Sequence, residues 1–129
     1  MRAHLALALA ATAACAHARV EGREPARAVP AEVRAAGRVF EGPSVRYTLA
    51  ERGGAIEAWT EGVETCTGAP APPARLTRHE ARGGADVFVQ WNADGWRVEL
   101  VFPRAAGADG EAIVFERDRV TRRWPLWAR

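Results

Sequence analysis

The sequence predicts an all-β fold, a small antiparallel meander forming a sandwich or barrel of about six to eight short strands after an N-terminal signal and tether. Three observations predict it. From Arg38 onward, apolar and polar residues alternate with the period of a strand. Gly-Gly and Asn/Asp-Gly strings interrupt that alternation at intervals, as hairpin turns do. No stretch carries the 3.6-residue apolar spacing of a long helix.

The first element is an address. Met1-Arg2-Ala3-His4 is a short positive lead, and Leu5 to Ala14 is an apolar run of Leu and Ala. About ten residues suit a signal-peptide core and fall short of the roughly twenty that span a bilayer. The strings Ala11-Thr12-Ala13, Ala14-Cys15-Ala16 and Ala16-His17-Ala18 fit the A-x-A cleavage pattern, so residues 1–18 are expected to be a signal peptide. Thr12-Ala13-Ala14-Cys15 also resembles a bacterial lipobox, with Thr12 where that motif usually has Leu. The resemblance implies cleavage before Cys15 and a membrane anchor through it. Lipoprotein and plain secreted protein remain alternatives. A lipidated Cys15 leaves Cys66 without an intrachain partner, whereas a retained free Cys15 permits a disulfide. Either way the expected location is periplasmic, outer-membrane or secreted rather than cytoplasmic.

Residues 19–37 are rich in Pro, Ala, Arg and Glu and nearly devoid of large apolar side chains, which predicts a flexible tether. Within it, Pro30 to Ala36 suits one or two helical turns that stop at Gly37. Residues 38–129 are the β-rich domain. Val45, Tyr47 and Leu49 alternate with Arg46, Thr48 and Ala50, and Gly53-Gly54 turns this strand into Ala55–Thr60. The turn pairs Leu49 with Ala58, Tyr47 with Thr60 and Arg46 with Glu61. It also sets Trp59 opposite Thr48, on the polar face beside Glu57. Cys66 to Ala74 holds three prolines and is expected as an extended loop. Arg75–Arg82 reads as either strand or short helix, leading to the turn Gly83-Gly84. Asn92 to Gly95, taken as a four-residue loop, sets Trp91 against Trp96, Val89 against Val98 and Val87 against Leu100. Phe88, Gln90, Arg97 and Glu99 then lie on the opposite, polar face. A strand over Glu111–Arg117 turns at Asp118-Arg119 into Val120–Trp124, ended or placed on an edge by Pro125.

Composition limits the function classes. The chain has 129 residues, 48% hydrophobic and 26% charged, enough for one domain with a thin core. A net charge of +2 gives no clustered basic face, so nucleic acid is not an expected partner. All 18 basic side chains are Arg, which matches G+C-rich coding more than a specific role.

No catalytic set assembles in the sequence. His79 and Glu80 are strand neighbours pointing to opposite faces, and Ser44 is the only serine, outside any nucleophile-elbow pattern. Cys66 has no local base. The Asp-Gly turns at Asp94 and Asp109 lack the flanking carboxylates of a calcium loop, and no Cys/His cluster suits zinc. No metal or cofactor is therefore expected. Two surfaces are candidates for binding. One is the polar face of Arg46, Thr48, Glu57 and Trp59, where an aromatic ring stacks a sugar or peptide. The other is the C-terminal mixture of Arg122, Arg123, Trp124 and Trp127, suited to an anionic lipid or glycan surface. The expectation is an exported envelope binding or interaction domain whose partner is an envelope protein or glycan. The alternatives are a small secreted hydrolase using His79 and a purely structural envelope lipoprotein.

Overall fold

A computed structural model describes residues 20–63 and 70–129. The expected signal peptide, Cys15 and Cys66 lie outside the described residues. Ten strands and one short helix follow in order: β1 (Arg23–Pro25), α1 (Ala31–Ala36), β2 (Arg38–Gly42), β3 (Val45–Arg52), β4 (Ala55–Val63), β5 (Pro70–Leu76), β6 (His79–Arg82), β7 (Ala85–Trp91), β8 (Trp96–Pro103), β9 (Gly110–Glu116) and β10 (Arg119–Ala128). All pair antiparallel in one sheet of order β1-β5-β4-β3-β2-β10-β9-β8-β7-β6.

The all-β class and the meander are thus as expected, with more strands than six to eight. The surplus has two sources. Residues 19–37, expected as a tether, contribute β1 and α1 from within that range. The β5–β6 path, broken at Thr77–Arg78, serves β4 with its first half and β7 with its second.

The sheet curls until its margins meet. Glu21 N donates to Trp91 O at 2.7 Å and Trp91 N returns a bond to Glu21 O at 3.2 Å. Beside them Thr77 N donates to Gly22 O at 2.9 Å, and Val89 N donates to Arg78 O at 3.0 Å. Closing the edges in this way satisfies backbone groups that an open sheet would present to other chains.

The β3–β4 hairpin has the expected register, with Leu49 opposite Ala58, Tyr47 opposite Thr60, Arg46 opposite Glu61 and Thr48 opposite Trp59. The β7–β8 hairpin is displaced by one residue from the expected pairing. Asn92 N donates to Trp96 O, making these two the closing pair around the three-residue loop Ala93-Asp94-Gly95. The Asn92 side-chain oxygen accepts from the backbone N–H of Asp94 at 3.0 Å and of Trp96 at 3.1 Å. Gly95 takes the left-handed conformation at φ 88° that such three-residue loops need. Trp91 therefore faces Arg97, and Phe88 faces Leu100. One residue of slip exchanges the faces of a strand. Phe88, Gln90 and Asp86 turn inward, while Trp91 is exposed outside.

Two more expectations are corrected. Residues 70–74, expected as part of a loop, belong to strand β5, because the extended conformation of a proline-rich run is close to a strand. Its prolines precede the stretch Ala74–Leu76 that pairs with β1, so no ladder bond to β1 is missing there. Pro125 does not end β10, which pairs with β9 through Leu126 and then passes to β2 at Trp127 and Ala128. Arg75–Arg82 resolves as strand, interrupted at Thr77–Arg78.

Inside the curl, Phe102 is the hub. Its ring lies 5.0 Å from Phe40, 5.5 Å from Tyr47 and 6.2 Å from Phe88, centroid to centroid. Leu49, Ala58, Leu76, Val98, Leu100, Val114 and Leu126 complete this core. A second, smaller cluster lies outside the sheet, where Val29 and Val33 pack on Ala50 and Trp59.

Candidate functional site

The four residues expected to form a polar binding face are brought together, but under a lid. Thr48 and Trp59 sit on the outer surface of β3 and β4, and both are buried. Val29 and fully buried Val33, from the segment containing α1, cover Trp59. The Trp59 indole N–H donates to Glu57 at 3.3 Å, and Glu57 also pairs with Arg52 at 3.2 Å. Arg46 is exposed and pairs with Glu41 at 3.2 Å. The missed signal was Val29 and Val33, an apolar pair with one member just before the N-cap Pro30 and the other in the first turn of the short helix.

The C-terminal quartet divides between faces. Arg122 and Trp124 line a cavity inside the curl, whereas Arg123 pairs with Glu111 at 3.1 Å and Trp127 is exposed. Alternation along β10 separates what adjacency in sequence had grouped.

His79 acquires the carboxylate that sequence inspection could not find. The two-residue turn Gly83-Gly84 sets β6 against β7, with His79 opposite Phe88 and Ala81 opposite Asp86. The imidazole stacks on the Phe88 ring at 4.9 Å, and its Nε2 lies 2.8 Å from Asp86 Oδ1. Arg104, arriving from the β8–β9 loop, donates to the same carboxylate through Nη2 at 3.0 Å and Nε at 3.3 Å. Asp86 is fully buried. Burial alone would push its pKa up, but the hydrogen bonds from Arg104 and His79 prevail and hold it below the ordinary value. The same contact raises the Arg104 pKa. A buried, ionised carboxylate clamped by two donors closes this end of the sheet. Ser44 occupies the β2–β3 turn, and successive hairpin turns alternate between ends, so it lies at the end opposite Asp86.

That opposite end is open. A cavity of about 410 Å³ lies inside the curl beside the β2–β3 turn, which contributes Pro43. Val45, Val98, Leu100, Trp96 and Trp124 form its apolar walls. Tyr47 from β3 and Gln90 from β7 supply polar groups, and Arg23 from β1 and Arg122 from β10 supply charge. Tyr47 is 6% exposed and Gln90 7% exposed. Among the described residues neither side chain has a hydrogen-bond partner, and neither guanidinium has an acidic one. Burial pushes the Tyr47 phenol up to about 12, against a smaller opposite pull from the Arg23 charge. Sequence reasoning placed Tyr47 and Trp96 inward correctly, but it missed Gln90 through the register slip, and Arg23 by assigning it to the tether.

Among the described residues no group of three or more His, Cys, Asp or Glu side chains is arranged to hold a metal ion. No helix among them is long and apolar enough to cross a membrane. Comparison with known proteins identified no matching family model, curated protein or solved structure.

Proposed function

We propose that this chain is an exported cell-envelope binding domain that takes a small, mainly apolar ligand into the cavity inside its curled sheet. One observation carries the reading: Tyr47 and Gln90 are more than nine-tenths buried, line an apolar cavity, and have no hydrogen-bond partner among the described residues. Buried polar groups in folded proteins are normally satisfied. Their polar atoms are not fully enclosed, so a ligand group in the cavity can satisfy them. The volume falls within the usual range for small-molecule sites, and a few fixed polar groups on an apolar wall are what orient a ligand.

Export, and a lipid anchor at Cys15 if the lipobox-like string is processed, rest on residues 1–18 alone. The intact mass of the protein from a bacterial host distinguishes a diacylglyceryl-modified Cys15 from a simply cleaved chain.

Binding is tested with N-phenyl-1-naphthylamine, a neutral apolar dye that brightens when it leaves water. The full chain is expected to bind it saturably at one site, and Trp124→Ala to weaken it at least about fivefold, near 1 kcal/mol. A dye signal that grows linearly without saturation sinks the reading. The hydrolase alternative has the His79–Asp86 contact in its favour. It requires turnover of an envelope polymer that His79→Ala abolishes.

A further inference from the structure

The geometry points to an anionic single-chain amphiphile, with a carboxylate head between Arg23 and Arg122 and its chain inside the cavity, as the ligand of this site. The inference rests on the cavity being a binding site and goes on to name the class of molecule it takes.

Charge balance around the fold is the first support. Most arginines are neutralised locally: Arg34 by Glu61, Arg75 by Glu24, Arg82 by Glu99 and Arg97 by Asp118, all within 3.3 Å. Others, Arg23 and Arg122 among them, have no carboxylate partner among the described residues, and these two line the same cavity. Among the described residues no acidic side chain lines it. Three other concavities on the surface each include carboxylates: Asp109 and Glu111 in one, Asp94 and Glu116 in another, Glu80 and Glu99 in the third. Two unneutralised guanidiniums beside low-dielectric walls produce a focused positive potential, and each offers the planar fork that matches a carboxylate.

The uncharged polar groups of the site fit the same head. Tyr47 offers an O–H and Gln90 an N–H, both donors to a carboxylate oxygen. Glu61 Oε1 is the one fully enclosed side-chain polar atom without a partner among the described residues, so the polar atoms of Tyr47 and Gln90 retain contact with the cavity. Arg23 and Tyr47 line the same cavity, and the Arg23 charge opposes the upward effect of burial on the phenol. The walls suit a chain. Trp96 and Trp124 present flat apolar surface, and Val98 and Leu100 add aliphatic lining.

Size sets the chain length. At the roughly 30 Å³ one water occupies in the liquid, a cavity of about 410 Å³ takes about a dozen heavy atoms. Decanoate is of that size, and 1-decanol has the same chain without the charge.

The test titrates both into the full chain by calorimetry, below the micelle concentration of decanoate and the solubility limit of 1-decanol, and at low salt. Decanoate is expected to bind at least about tenfold more tightly than 1-decanol. In the double variant Arg23→Gln, Arg122→Gln the advantage should vanish, with 1-decanol affinity unchanged. Because neither arginine has a carboxylate partner among the described residues, the variant should melt within a few degrees of the parent, and this is measured alongside. Equal affinity for the two ligands overturns the inference while leaving the cavity as a binding site. A decanoate preference that survives the double substitution also overturns it, since the head is then held elsewhere. Failure of both ligands and of the neutral dye refutes the binding site itself. A decyl phosphate arm distinguishes head groups: binding tighter than decanoate would replace the carboxylate with a phosphate monoester as the preferred anion.

Discussion

Tyr47 is the only tyrosine in the sequence, so its ionisation can be followed without ambiguity. Folding raises its pKa from the ordinary value of 10.0 to about 12 because the phenolate would have to form in a poorly hydrated site. The sign follows. The raised value is a stabilising contribution fully present below pH 10 and lost as pH rises through 12. The tyrosinate absorbance near 295 nm should therefore appear with alkaline unfolding rather than ahead of it. A band rising near pH 10 in folded protein would mean that the cavity is well hydrated around the hydroxyl. Decanoate binding should delay the band further, since a carboxylate beside the phenol disfavours a second negative charge. Tyr47 also illustrates what alternation alone reveals. Its position between Val45 and Leu49 places it inward, but its lack of a partner depends on neighbours from β1 and β7.

At the scale of elements, the segment from Val29 through α1 behaves as a lid on the β3–β4 hairpin. A six-residue helix has little stability of its own in water, so it depends on Val33 and Val29 resting on Ala50 and Trp59. Trp59→Ala removes the largest member of that cluster and should destabilise the fold by about 3–5 kcal/mol. Chemical denaturation measures this. A loss below about 1 kcal/mol would show the ring to be a surface group and would reopen the outer face of β3–β4 as a ligand surface. The β7–β8 hairpin carries the opposite lesson. Its existence follows from Asn92-Ala93-Asp94-Gly95, but which face is interior depends on whether the loop has three or four residues. The Asn92 side-chain bonds to Asp94 and Trp96 decide for three. Hydrophobicity alone misleads there, since the slipped pairing gathers Val87, Val89 and Trp91 on one side and looks like the more apolar face.

At the scale of the whole molecule, the fold depends on a short seam where residues before β1 join the end of β7. Gly22 lies at its centre with φ 83°, and a Cβ there would collide with the Val89 carbonyl oxygen. Gly22→Ala should cost more than about 1 kcal/mol, from the positive φ and the collision together. Amide exchange at Glu21 and Trp91 should accelerate more than exchange in the β3–β4 hairpin. Equal acceleration everywhere would show the seam to be no separate unit of opening. Because Arg23 follows directly on this seam and Val20 precedes it, opening should also weaken decanoate binding.

The sequence by itself determined the β class, the turn positions, the register of the β3–β4 hairpin and the inward direction of Tyr47. These are local properties, set by alternation and turn chemistry within a dozen residues. Only the tertiary structure decided which residues of β7 face inward, that the proline-rich runs before β2 and before β6 belong to the sheet, and that Asp86 and Arg104 meet His79. It also decided that Arg23, Tyr47, Gln90 and Arg122, which come from four separate strands, share one cavity. Such convergence depends on how far a sheet curls and which edges meet. Those outcomes are governed by long-range backbone pairing and by the packing of Phe102 against Phe40, Tyr47 and Phe88, and no local pattern encodes them.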